Sequence, residues 1–204
     1  MTKHYFTCLT LGDSYTIGES VALHESFPYQ MIQTLRNDGL HFHAPEVIAK
    51  TGWTSFELAE HLLHTKLNEQ YDFVTLLVGV NNQYRGTPVK EFAEDFNFLL
   101  RKAIHLSGEK PDHVIVLSIP DWGVTPFAKE RNSQKIADEI DAFNKVCESA
   151  AKELDTHYIN ITEDSRKAKD DPELLAPDGL HYSEKAHAIW AEKATDIIKQ
   201  LIRK

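Results

Sequence analysis

The chain has 204 residues, 42% hydrophobic and 26% charged, which suits one soluble globular domain spanning 1–204. Its 22 Lys and Arg against 31 Asp and Glu leave a formal charge of −9, and no block of Lys or Arg reverses this locally, so neither nucleic acid nor an anionic membrane is expected as a partner. Two cysteines, Cys8 and Cys147, lie in apolar periodic segments and read as buried thiols rather than a disulfide framework or zinc site.

The most apolar run, Phe73 to Val80, is too short to span a bilayer. Met1 to Leu11 has no long apolar leader core and runs straight into Gly12-Asp13-Ser14, so the expected compartment is cytoplasmic.

Five β-rich runs alternate with five segments of helical period. The first strand is expected over Phe6–Leu11. After Ser26, with Pro28 in the first turn, Phe27, Met31 and Leu35 recur at four-residue spacing until Asn37-Asp38-Gly39 ends the helix. A second strand over Glu46–Ala49 precedes Thr54 and Glu57, a capping-box pair ahead of Leu58 and Leu62. The third strand, Phe73–Val78, leads to Thr87-Pro88, which opens a helix carrying Phe92, Phe96 and Leu99. A fourth strand over His113–Ile119 is followed by the longest apolar stripe, Ile136 to Leu154, and a fifth over Tyr158–Ile161 by a polar stretch from Thr162 to Pro177. Ser183 is expected to cap the last helix, with Ala186, Trp190 and Ile197 on its apolar face. Strand–helix alternation throughout implies an α/β fold, a three-layer α/β/α sandwich on a five-stranded parallel sheet, with order 2-1-3-4-5 expected.

Open α/β sheets bind ligands beyond the carboxyl ends of their strands. Ser14 follows the first strand, Gly52 the second, Gly79, Asn81 and Asn82 the third, and Asp121 and Trp122 the fourth; Asp178-Gly179-Leu180-His181 precedes the last helix. Each group suits acyl transfer. A serine hydroxyl needs a base to take its proton, and His181 serves if Asp178 holds its tautomer. The tetrahedral oxyanion needs preorganised donors, for which the N–H of Ser14, the N–H of Gly52 and the Asn81 amide are candidates. Asp13 reads as a structural brace beneath Ser14.

On these residues the chain resembles the SGNH hydrolases, also called GDSL-like lipases and acylhydrolases, over essentially its whole length. Gly12-Asp13-Ser14, Gly52, Gly79-Val80-Asn81 and Asp178 to His181 match the family's nucleophile, glycine, asparagine and Asp-x-x-His blocks. The resemblance implies a flavodoxin-like fold, a Ser14-His181-Asp178 triad, an oxyanion hole from Ser14, Gly52 and Asn81, and no metal or organic cofactor. Three positions depart from the pattern: Tyr15 stands for Leu, Asn82 for Asp, and Tyr182 for Pro.

The function expected is a serine esterase or acylhydrolase acting on a small-molecule ester, with a carbohydrate O-deacetylase as the alternative within the same chemistry. A non-catalytic flavodoxin-like binding module is disfavoured by the lack of a Gly-rich phosphate loop. An α/β-hydrolase is disfavoured because Ser14 lacks the Gly-x-Ser-x-Gly elbow. Two histidine pairs, His41/His43 and His61/His64, show no accompanying zinc signature and read as solvated. Trp53, Tyr84, Trp122 and Phe127 follow strand ends, where large rings would shorten an acyl pocket.

Overall fold

The computed structural model describes residues 4–203. Five strands, β1 (Cys8–Gly12), β2 (Glu46–Ala49), β3 (Phe73–Leu77), β4 (Val114–Leu117) and β5 (His157–Ile159), form one sheet in the order β2-β1-β3-β4-β5. Every neighbouring pair is parallel. All residues of β1, β3 and β4 are buried, as strands covered on both faces must be.

The order places the switch in strand order between β1 and β3. Right-handed crossovers then send α2 (Phe27–Asn37) to one face, and α3 (Ser55–His64), α5 (Val89–Leu106) and α6 (Ser133–Glu153) to the other. The last helix, α8 (Glu184–Ile202), packs along α2, while α5 lies between α3 and α6. Phe92 of α5 stacks on Phe96 and Phe143, and Tyr15, Tyr182 and Trp190 form a second ring cluster under the carboxyl edge.

The helices begin and end largely where the capping chemistry says. Thr54 Oγ1 accepts from Glu57 N–H (3.3 Å) while Glu57 Oε2 accepts from Thr54 N–H (2.8 Å), a reciprocal box that satisfies two otherwise orphan donors. Ser183 behaves differently from expectation. It occupies the position before α8, but its hydroxyl donates to Glu173 O (2.5 Å) and caps nothing. Three short helices are additional: α1 (Ser14–Ile17), α4 (Val80–Arg85) and α7 (Thr162–Arg166), too brief to show a period. The polar stretch after β5 is accordingly structured, with α7 followed by 3₁₀ turns at Lys167–Lys169 and Pro172–Leu174. Cys8 and Cys147 are buried free thiols, and burial pushes the Cys8 thiol up to about 12.

The ends of β4 and β5 are tied by a buried polar network. Asn144 of α6 accepts from Ile119 N–H (2.7 Å) and donates to Ile119 O and Thr162 Oγ1 (3.1 and 2.9 Å). Ser118 Oγ accepts from the N–H groups of Ile161 and Thr162 (2.8 and 3.0 Å). A buried group left without its partner loses its full solvation. Asn144→Ala should therefore cost about 2–4 kcal/mol, lowering Tm by roughly 5–15 °C. Urea and thermal melts read this; a loss below about 1 kcal/mol would mean the network does not hold the strand ends.

Candidate active site

The close approach of Gly12 to β3 sets the position of Ser14. A Cβ on Gly12 would stand 2.3 Å from Leu77 O and 2.0 Å from Thr16 Oγ1, so only glycine fits between β1 and β3 at this point. The chain then turns at once into α1. Asp13 occupies the N-cap, its Oδ1 accepting from Tyr15 N–H (3.0 Å), and Ser14 becomes the first helical residue. Ser14 N–H therefore has no acceptor among the described residues, as expected for the first turn of a helix.

His181 and Asp178 stand on a turn closed by an antiparallel bridge between Leu175 and Tyr182. Gly179 sits at its tip with φ 69°. Asp178 Oδ1 accepts from the N–H groups of Leu180 and His181 (both 2.9 Å). Its Oδ2 accepts from His181 Nδ1 (2.6 Å) and Ser20 Oγ (2.7 Å). Partial burial opposes ionisation, but the hydrogen bonds from Ser20, His181 and the two backbone N–H groups outweigh it and hold the carboxyl well below the usual carboxylate range. An ionised carboxylate only accepts, so Nδ1 of His181 carries the hydrogen and Nε2 is the basic nitrogen. The Tyr15 ring meets the imidazole nearly edge-on, 5.8 Å between centroids.

Gly52 adopts φ 84°, a conformation that L side chains rarely adopt, and its N–H meets no acceptor among the described residues. Its carbonyl accepts from Arg85 Nη2 (2.5 Å), and Arg85 Nη1 pairs with Glu57 (3.1 Å). Asn81, in the first turn of α4, donates through Nδ2 to Trp53 O (2.9 Å), tying the loop after β3 to the loop after β2. Its neighbour Asn82 braces the same junction: Oδ1 accepts from Ser55 N–H (2.9 Å) and Nδ2 donates to Ser55 Oγ (2.8 Å). The exchange of Asp for Asn thus leaves the local brace intact.

Ser14, Tyr15, Gly52, Asn81 and His181 line one cavity of about 220 Å³. Asp178 stands behind His181, and no hydrogen bond joins Ser14 to His181 in this structure. The remaining walls are largely apolar: Val80, Leu180 and the rings of Tyr84, Trp122 and Phe127. Trp122 is fixed by its indole N–H donating to Gln83 Oε1 (2.7 Å), and the Arg131 guanidinium lies over all three rings, 5.1–5.8 Å from their centroids. Trp53 does not reach this wall; its ring packs on His61 (4.6 Å). Ser20, Gln83 and Arg85 are contributors that sequence reasoning missed, since nothing in their spacing marks them.

A sequence profile of the GDSL-like lipase/acylhydrolase family matches residues 10–189. The chain belongs to this family. It is a GDSL-type serine ester hydrolase. Compared by sequence with curated proteins, it matches none. Among solved structures it is similar in fold to a psychrotrophic esterase from a Pseudoalteromonas species, inhibited there by monoethylphosphonate (18% identity, 97% and 99% of the two chains, TM-score 0.73). It is likewise similar to a lipase/acylhydrolase from Enterococcus faecalis (20%, 96% and 96%, 0.74). A third similar fold is an acetylxylan esterase from Geobacillus stearothermophilus (17%, 96% and 95%, 0.75). No helix among the described residues of this GDSL hydrolase is long and apolar enough to cross a membrane.

Beneath Ser14, Asp13 is fully buried, and its Oδ2 meets no well-aligned donor, although the N–H groups of Gly79 and of Asp13 itself lie near enough to favour the charged form. Burial dominates and raises the carboxyl from its ordinary 3.8 to about 7, offset only in part by those groups and Tyr15 N–H. Between these two values the folded state holds a proton that the unfolded state has released. The Asp13 contribution is therefore complete below about pH 4 and is lost as pH rises through about 7. Asn keeps the cap acceptor without the charge, so the stability of Asp13→Asn relative to the parent should rise from about pH 4 to about pH 7 and level off above it. Urea melts across that range measure it, and a flat difference would show that the buried carboxyl titrates normally.

Proposed function

We propose that this GDSL hydrolase cleaves short-chain carboxylic esters with Ser14 as nucleophile, His181 as general base and Asp178 as its orienting acid. The observation that carries the reading is the Asp178–His181 pair at 2.6 Å, with the imidazole facing the same cavity as a serine at a helix N-terminus. As Ser14 Oγ bonds to the ester carbonyl carbon, His181 Nε2 takes the hydroxyl proton. The carbonyl electron pair moves onto oxygen, and that oxyanion is received by the N–H groups of Ser14 and Gly52 and by the second amide hydrogen of Asn81. Collapse breaks the ester C–O bond and His181 returns its proton to the departing alkoxide. Water then attacks the acyl-serine with His181 again as base, releasing the carboxylic acid and Ser14. Ser14 and His181 are not hydrogen-bonded here, and catalytic hydrogen bonds commonly tighten only once substrate is bound.

Raising the Asp13 carboxyl toward neutrality reduces the negative charge stored under Ser14, where an oxyanion is to form. Asp178 is the opposite case, kept charged where the imidazolium will appear.

Ser14→Ala should abolish turnover of p-nitrophenyl acetate without lowering Tm, and an alkyl phosphonate should label the parent at Ser14 alone. Residual activity above about one part in a thousand, or label elsewhere, would overturn the nucleophile.

The cavity bears on the acyl group. At about 220 Å³ it lies below the roughly 300–1,000 Å³ of pockets that hold drug-sized ligands. The bulk of its three rings would limit the length of an acyl group. An acetylated sugar is a second reading, favoured by the same small cavity and by the half-exposed Tyr84 and Phe127, both 46% exposed, which offer aromatic surface to a pyranose. Across p-nitrophenyl esters from acetate to laurate, kcat/KM should peak at acetate or butyrate, and Phe127→Ala should move the maximum to longer chains. A parent maximum at eight carbons or more defeats the short-acyl assignment; a preference for acetylated xylo-oligosaccharide over the aryl acetate selects the sugar ester.

A further inference from the structure

After α1 the chain turns at Gly18, whose N–H and that of Glu19 both donate to Ser14 O (3.1 and 3.0 Å). The next two side chains reach separate loops. Glu19 accepts a hydrogen bond from Thr51 Oγ1, one residue before Gly52, and Ser20 Oγ donates to Asp178 Oδ2 at 2.7 Å. Ser20 holds φ 68°, the left-handed region that disfavours any residue with a Cβ. Backbone geometry alone would select glycine here, whereas the hydroxyl is engaged with the carboxylate.

We infer that Glu19 and Ser20 form a clasp that holds the nucleophile segment, the Gly52 loop and the Asp178–His181 turn in register, with Ser20 a positioning residue for Asp178. The inference rests on the triad reading above. Ser14 and Asp178 are 164 positions apart in sequence, and Ser20 is the direct hydrogen bond from the nucleophile's segment to the acid. The two N–H groups of the turn fix Oδ1; the hydroxyl fixes the plane of the carboxylate from the other oxygen, so that Oδ2 faces Nδ1. It also spreads the charge of Oδ2 over two donors, in keeping with the low titration of Asp178.

Ser20→Gly separates this role from a merely structural one, because glycine removes the hydroxyl and relaxes the backbone at once. Tm should stay equal or rise, kcat for p-nitrophenyl acetate should fall by about 5–30-fold, and KM should change less than about two-fold. The Asp178 carboxyl, followed by ¹³C NMR, should titrate higher than in the parent. Ser20→Asn, which tolerates the left-handed region and restores a donor, should recover part of kcat. Glu19→Ala should lower kcat while leaving the Asp178 titration in place. Parent-like kcat and an unmoved Asp178 titration in Ser20→Gly would overturn the clasp and leave the triad standing. A parent that hydrolyses no ester would defeat the triad reading, and the carboxyl titration would still decide whether Ser20 holds Asp178.

Discussion

The Asp178 carboxylate receives four hydrogen bonds while partly withdrawn from water, two from its own turn, one from His181 and one from Ser20. Much else is arranged to allow this. Gly179 takes a positive φ so that the turn can fold its N–H groups onto Oδ1, and the Leu175–Tyr182 bridge closes the turn below. Tyr182 is fully buried and its hydroxyl donates to Asp121 O (2.9 Å), fixing the stem of the turn to the loop after β4. Tyr182 therefore anchors the turn by a side-chain hydrogen bond.

Asp13 and Asp178 carry the same side chain into opposite electrostatic circumstances. One is fully buried with a single well-aligned N–H on Oδ1, and burial raises it to about 7. The other keeps a third of its side chain in solvent and four donors, and stays ionised. The difference follows from local backbone. Asp13 caps a helix wedged against β3 by the Gly12 contact, whereas Asp178 crowns an exposed turn. On the mechanism proposed above, this puts an acid held toward neutrality beneath the nucleophile and a fully charged one behind the base, the polarity that ester attack requires.

Much of this was legible in the sequence because it rests on periodicity and on residue types with few alternatives. The continuous apolar runs of β3 and β4 gave their burial on both faces, and alternation with helices gave parallel pairing. Strand bounds moved by one or two residues where neighbours intervened: His113 is drawn into a 3₁₀ turn, and Phe6 makes only an isolated bridge to Phe42. Ser14, Gly52, Asn81 and His181 line one cavity because each follows a strand or precedes the last helix, and the sheet brings those points to one edge. What escaped depends on side-chain reach. Ser20, Arg85 and Gln83 act through side-chain contacts that reach across 158, 33 and 39 positions, which no period encodes. Ser183 failed as a cap for the same reason, since Glu173 O, ten positions earlier, took its hydroxyl.

The ring-lined wall of the cavity and the Asp178–His181 turn are parts of one assembly. Phe127 N–H donates to Gly179 O (3.0 Å), so the segment bearing a pocket ring is bonded to the tip of the turn that carries His181. Trp122 is held by Gln83, two residues after Asn81 on the same helix. Trp122 is almost wholly buried, and changing it would disturb packing, Gln83 and through α4 the position of Asn81. Phe127 and Tyr84 differ, because their rings are half in solvent and the bond from Phe127 to Gly179 is made by its backbone. Under the proposed function, acyl-chain range is therefore open to change at the two exposed rings without loosening the His181 turn, whereas a change at the buried indole would alter range and rate together. The same division explains why Arg131, lying over all three rings, is suited to stiffen the wall as a unit and not to meet the substrate, since it borders the far side of that wall and not the cavity.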